Sequence, residues 1–152
     1  MACYSHKNIV RIREAFRASS GNRRFGVVVM QRLKKLYDKF PVGSLDRLQF
    51  NKIIQEVAEG ISFLHANNVT HRDIKPDNIL ICEAGGRWNA VVTDFDVCAF
   101  QTAGNQTLIG TQGFMAPEIF FGTYDRRCDI FSFAATIKEW MDKNTIVGML
   151  LS

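Results

Sequence analysis

The sequence is short of the marks by which several large classes of protein declare themselves. Its four cysteines, Cys3, Cys82, Cys98 and Cys128, are far apart, with no CxxC pair and no histidine at ligand spacing. That argues against a zinc site and against a disulfide framework, and makes reduced cytosolic thiols the expectation. No run approaches the ~20 apolar residues of a membrane span, and residues 1–10 hold no apolar stretch of signal-peptide length. A cytoplasmic location without membrane contact is expected. No internal repeat or low-complexity segment is visible. Asn105-Gln106-Thr107 matches a glycosylation acceptor, but without a secretory signal it is read as a chance match.

What is present fits one soluble globular domain. The 152 residues are 47% hydrophobic and 22% charged, and 12 phenylalanines offer large units of burial. The net charge of +4 conceals a split. Residues 1–52 carry 12 Lys/Arg against 3 Asp/Glu, a balance of +9, and residues 53–152 carry 7 against 12, a balance of −5. A basic third can bind nucleic acid. No nucleic-acid motif accompanies this one, so it reads as a solvated face around strands, and nucleic acid is not an expected partner.

Periodicity places the elements. Residues 9–16 alternate, with Val10, Ile12 and Phe16 at period two, which predicts a half-buried strand. Residues 25–30 (FGVVVM) predict a second, more buried strand, paired antiparallel through a turn around Ser19-Ser20-Gly21-Asn22 somewhat longer than the tightest hairpins. Pro41-Val42-Gly43 breaks the chain, and Ser44 is placed to cap a short helix with Asp46 and Arg47 in its first turns. From Asn51, the residues Ile53, Ile54, Val57, Ala58, Ile61 and Leu64 recur at helical spacing, and Asn67-Asn68 is a stop. Residues 79–82 and 89–93 read as strands around a Gly-Gly turn. A long loop with little periodicity runs from Asp94 to Gly113, a length that is usually functional. Residues 129–141 predict a helix with Ile130, Phe133, Ala134, Ile137 and Met141 on one side, and Phe131 and Trp140 making the other side apolar too.

Between the two helical patterns lies His71-Arg72-Asp73-Ile74-Lys75-Pro76-Asp77-Asn78. Polar groups held between apolar segments suit the presentation of catalytic residues. Phosphoryl transfer needs a carboxylate to orient the attacking hydroxyl, oxygen ligands for metal on the phosphates, and cations for developing charge. Asp73 suits the first role. Asn78 and Asp94 supply hard oxygen donors of the kind Mg²⁺ takes, and Lys75 supplies positive charge.

With their neighbours these residues resemble the eukaryotic protein kinase family. HRDIKPDN looks like its catalytic loop, Asp94-Phe95-Asp96 stands where the family has DFG, and Ala116-Pro117-Glu118 is similar to the APE motif. Residues 110–115 (GTQGFM) resemble the substrate-binding loop, residues 129–133 (DIFSF) the central helix, and residues 6–33 the end of the N-terminal lobe and the hinge. The resemblance implies an α+β, protein kinase-like fold and ATP-dependent transfer to Ser or Thr hydroxyls of protein substrates, with ATP and Mg²⁺ as cofactors. It implies roles as well. Asp73 would orient the hydroxyl, Lys75 would steady the phosphoryl, and Asn78 and Asp94 would hold Mg²⁺. Met30, as gatekeeper, with Gln31, Leu33 and Leu80 would receive adenine. His71, Phe95 and Ile12 would form a hydrophobic column, and Asp129 would brace the catalytic loop. Arg72 suggests activation by a loop phosphate, with Thr102 and Thr107 as candidates. Thr111 joins this regulatory set, and with Lys75 it looks like the mark of a serine/threonine or tyrosine-kinase-like enzyme rather than a true tyrosine kinase.

Three departures shape the remaining expectations. The Gly-rich loop, the lysine that pairs with the α- and β-phosphates and its partner glutamate have no counterpart. Asp96 replaces the glycine of DFG, which stiffens a hinge. The chain stops soon after the central helix, which would leave Glu118 without its arginine. The expectation is an incomplete kinase domain: residues 1–33 the last strands of the N-terminal lobe and the hinge, residues 34–152 the first half of a mainly helical C-terminal lobe. Alone, it would be unstable or self-associating and would not perform the reaction. The alternative is a pseudokinase, a binding or scaffold module without turnover.

Overall fold

The computed structural model describes residues 5–100, 108–122 and 124–144. An antiparallel hairpin comes first, β1 (Ile12–Ser20) with β2 (Arg23–Met30). Ser20 faces Arg23, so the loop is the two residues Gly21-Asn22, tighter than the sequence suggests, with Gly21 at φ +58°. Burial departs further from expectation. Phe16, Phe25, Val28, Val29 and Met30 are all exposed, Phe16 by 50%. The alternation is that of a ribbon whose faces no other described element covers. Only Val10, just before the hairpin, enters the core.

The core is built by two helices against a small sheet. Strand β3 (Lys34–Lys35) leads into the single-turn helix α1 (Leu36–Lys39), and β3, β5 (Ile79–Ala84) and β6 (Arg87–Val92) form an antiparallel sheet in that order. Strands β5 and β6 join through Gly85-Gly86, as the Gly-Gly turn predicts. Helix α2 (Arg47–Ala66) is one continuous element. Its cap is Asp46 rather than Ser44: the Asp46 carboxylate accepts from Gln49 N–H at 2.8 Å and the Gln49 side chain accepts from Asp46 N–H at 3.1 Å. This reciprocal pair satisfies two amides that a serine two residues earlier cannot reach. Phe50, Ile53, Val57, Ile61 and Leu64 make the buried stripe, and burial of each large side chain stabilises the fold by about 1.5–3 kcal/mol. The helix stops at Asn67, and Asn68 takes φ +58°.

Residues 8–10 pass across this core. Asn8 is fully buried and donates to the Ala90 carbonyl at 2.8 Å. A Cβ on Gly60 of α2 would lie 2.8 Å from the Asn8 carbonyl oxygen, so the helix comes this close only because residue 60 has no side chain. Helix α3 (Arg127–Asn144) packs Phe133, Thr136 and Trp140 inward, with Trp140 fully buried in the main core. Its buried stripe differs from the expected one. Cys128, Asp129, Ser132, Phe133, Thr136 and Trp140 face inward, whereas Ile130, Phe131 and Ala134 face outward. The stripe follows i, i+4 spacing from Cys128 and Asp129, and it includes the fully buried Asp129 carboxylate. No helix among the described residues is long and apolar enough to cross a membrane.

Candidate active site

The loop after β4 (Val69–Thr70) is fixed from below by one carboxylate. Asp129, with no exposed surface, accepts from His71 N–H at 2.9 Å and Arg72 N–H at 2.8 Å, and pairs with His65 Nε2 at 2.8 Å. Its place in the first turn of α3 puts it beneath the loop, and His65 reaches it from the last turn of α2. The bracing role expected of Asp129 thus has a geometry. The part of His65 is new, and the only hint in the sequence was a histidine near the end of an apolar helix.

His71 is buried and its ring is oriented at both nitrogens. Nε2 lies 2.9 Å from the Thr93 carbonyl and Nδ1 accepts from Asp73 N–H at 3.2 Å. A carbonyl takes only a donor and an amide gives only a donor, so the ring is the neutral Nε2–H tautomer. Burial pushes its pKa below the ordinary value and favours that form. The Phe95 ring stands 5.2 Å away, tilted by 60°. Ile12, the third member expected in this column, is 50% exposed in the hairpin.

Arg72 and Asp94 are both in the left-handed region, at φ +71° and +65°. Such conformations cost about 1–3 kcal/mol for residues with a Cβ and cluster at functional sites. Between them in sequence lies Asp73, the candidate catalytic carboxylate. Asp73 Oδ2 receives Lys75 Nζ at 2.7 Å and Asn78 Nδ2 at 3.0 Å, and Oδ1 receives the Thr111 hydroxyl at 2.7 Å. Lys75 Nζ also donates to Thr111 Oγ1 at 2.7 Å, which closes a ring of bonds. Burial alone would raise the Asp73 pKa. The bonds from Lys75, Thr111 and Asn78, with the lysine charge, outweigh it and hold the carboxyl below its ordinary value. Asp73 is therefore an anion at neutral pH with its lone pairs aimed.

Asn78 spends its amide N–H groups on Asp73, bonding the Asp73 carbonyl at 2.8 Å as well as the carboxylate. Its Oδ1 accepts no hydrogen bond among the described residues and could take a cation. The Asn78 carbonyl accepts from Thr93 N–H at 2.9 Å, which ties the loop to the residue before Asp94. The exposed carboxylate of Asp94 takes no hydrogen bond among the described residues. One amide oxygen and one free carboxylate suit Mg²⁺, which keeps several waters and binds through one or two protein oxygens beside phosphates. Among the described residues no group of three His, Cys, Asp or Glu side chains could hold a metal by itself. Asp96 is exposed in a turn closed by Cys98 N–H on the Phe95 carbonyl, and its φ is not positive, so the turn tolerates a Cβ where the motif has glycine.

The expected adenine residues line up along the join between hairpin and sheet. Met30 ends β2 opposite Ile12, Gln31 Nε2 reaches Cys82 Sγ at 3.1 Å, and the pairing of Lys35 with Leu80 brings Leu80 beside the segment that follows Leu33. Met30 is 43% exposed, and Leu33 and Leu80 are partly exposed. Thr102 and Thr107 lie outside the described residues. Glu118 is partly exposed, so water rather than an arginine can solvate its carboxylate.

A carboxylate bonded by a lysine and a threonine, on a loop braced from a helix, fits the arrangement of a protein kinase domain. The chain belongs to that family: the model of the protein kinase domain matches residues 1–149. It is 35% identical over 143 residues to the serine/threonine-protein kinase shk2 of Schizosaccharomyces pombe, covering 90% of this chain and 23% of that protein. It is 30% identical over 119 residues to the serine/threonine-protein kinase H1 homolog of Danio rerio, covering 75% of this chain and 28% of that protein. Against the dual serine/threonine and tyrosine protein kinase of Pimephales promelas it is 36% identical over 110 residues, 70% of this chain and 12% of that one. The chain thus spans under a third of the length of these relatives.

Proposed function

We propose that the chain carries the catalytic-loop half of a protein kinase that transfers the γ-phosphate of ATP, with Mg²⁺, to Ser or Thr hydroxyls of protein substrates. The observation that carries this reading is the closed ring of Asp73, Lys75 and Thr111, with Asn78 on the same carboxylate. Asp73, an anion with an oriented oxygen, accepts the hydrogen bond of an incoming hydroxyl and aims it. Lys75, two residues on and bonded to that carboxylate, places positive charge where the transferred group gains negative charge. Thr111 touches both and belongs to the segment that would lie under a substrate peptide. Mg²⁺, when bound, neutralises phosphate charge, and Asn78 Oδ1 and the Asp94 carboxylate are the oxygens that would hold it. Met30, Gln31, Leu33 and Leu80 are offered as the adenine side.

Residues 1–33 are proposed as the N-terminal-lobe end and hinge, and residues 34–152 as part of the C-terminal lobe. The exposed Phe16, Phe25, Phe120 and Phe121 support self-association of this stretch in isolation. The test is phosphoryl transfer from Mg²⁺·ATP to serine and threonine peptides by the longest natural form containing these residues. Asp73→Asn is expected to lower kcat by about 10²-fold or more. Equal activity in the variant would overturn the reading.

Asp96 favours a second reading. A further carboxylate two residues from Asp94 competes for the same cation, which suits a module that binds nucleotide without turnover. Nucleotide binding unaffected by Asp73→Asn, with no transfer by the wild type or by Asp96→Gly, would favour that alternative.

A further inference from the structure

Arg72 immediately precedes Asp73 and is the strained residue from which Asp73 projects. It is held on every side. Its N–H is on Asp129, and its guanidinium Nε donates to the Val97 carbonyl at 2.5 Å. Its carbonyl faces Gly110, where a Cβ would lie 3.1 Å away and where φ is +135°, so that wall requires glycine. The remaining contact is from Arg72 Nη1 to the phenolic oxygen of Tyr124, at 3.3 Å. Tyr124 stands between the turn Pro117–Phe121 and helix α3, and its ring packs against the small second core of Ala116, Ile119 and Cys128. The hydroxyl is thus carried on a ring that packing fixes in place.

We propose that Tyr124 is a positioning residue: its hydroxyl accepts from Arg72 and thereby sets the direction of the Asp73 carboxylate. The sequence suggests Arg72 as a receiver for a loop phosphate. In this structure two of its nitrogens are engaged by Val97 and Tyr124, which lie on either side of residues 101–107 in the sequence. Arg72 therefore joins to the catalytic loop two segments, one near Val97 and one just before helix α3. Tyr124 supplies that join with an uncharged acceptor on a rigid ring. A phenol accepts a weaker bond from guanidinium than a carboxylate or phosphate does, so the hold is firm enough to orient the loop and weak enough to yield to an anion.

The proposal rests on the kinase reading for its kinetic consequence but not for its structural one. Tyr124→Phe keeps the ring and its apolar contacts and removes only the oxygen. The expected result has two parts. Amide hydrogen exchange at Arg72 and Asp73 speeds up roughly tenfold, of the order that one lost bond to a charged group allows, while exchange in α3 and the melting temperature stay unchanged. In the phosphoryl-transfer assay kcat falls by about the same factor with KM for ATP held, and the Arg72→Ala, Tyr124→Phe double variant is no slower than Arg72→Ala alone. Unchanged exchange at Arg72 and Asp73 in Tyr124→Phe would overturn the proposal, as would additive losses in the double variant. Altered exchange in a protein that transfers no phosphate would sink the kinase reading and leave the positioning role standing.

Discussion

The catalytic loop and the β1–β2 hairpin are both short, polar-rich stretches, yet they are stabilised in opposite ways. From His71 to Asn78 the chain is tied down by the Asp129 carboxylate of α3, by the Thr93 backbone after β6 and by the Thr111 hydroxyl, and His71, Ile74 and Asn78 are buried. Among the described residues the hairpin is held mainly by its own ladder, with most of its side chains in solvent. An irregular backbone can be more rigid than a regular one when its polar groups have buried partners. Regularity alone gives a ribbon whose tertiary stability has to come from elsewhere.

That contrast can be broken most directly at Asp129. Asp129→Ala leaves two buried N–H groups and a histidine without their acceptor, and a loss of about 3–5 kcal/mol in urea unfolding is expected. Next comes the crossing of residue 8 over α2. Gly60→Ala gains up to about 1 kcal/mol of helix propensity but drives a methyl into a backbone carbonyl, for which overpacking costs about 1–3 kcal/mol. Net destabilisation is expected, and a stabilised variant would show that this contact is looser than described.

Acid sharpens the comparison further. The folded pKa of His71 lies below its ordinary 6.5, so below that pH the unfolded chain takes up a proton that the folded chain refuses. Stability is expected to fall as pH drops through 6.5, and His71→Gln should flatten that limb. The folded pKa of Asp73 lies below its ordinary 3.8, so the stability it contributes is full above that value and is lost as pH falls through the folded value. Asp73→Asn should remove this second stage. Urea midpoints measured against pH separate the two. The smallest effect belongs to the hairpin. Phe16→Ser or Phe25→Ser should change unfolding free energy by no more than about 0.5 kcal/mol, and a loss as large as that of Asp129→Ala would erase the contrast between the regions.

Legibility in the sequence followed the same divide. The stripe of α2, the β5–β6 hairpin with its Gly-Gly turn and the identity of the loop at 71–78 could be read, because each depends on local spacing. The hairpin's burial could not, since alternation reports which residues share a face and not whether anything covers that face. The cap of α2 was placed two residues early because Ser44 and Asp46 are both good caps, and only the position of Gln49 decides between them. The rotation of α3 was missed because Ile130 and Phe131 look like core, while the inward face carries the buried Asp129. Within the site, Asp73, Lys75 and Asn78, singled out by their spacing, are bonded to one another in the structure. His65 meets Asp129 from 64 positions away and Tyr124 meets Arg72 from 52, contacts that no local pattern encodes.

Asp129 also has a mechanical meaning. One carboxylate grips the end of α2, the start of α3 and the two residues ahead of Asp73, so sliding α3 by a single turn would part all three attachments together. These pieces should open in hydrogen exchange as one cooperative unit, at the protein's highest free energy, while the hairpin opens by itself far below it. The loop that aims the reactive carboxylate would then be among the last parts of the chain to let go.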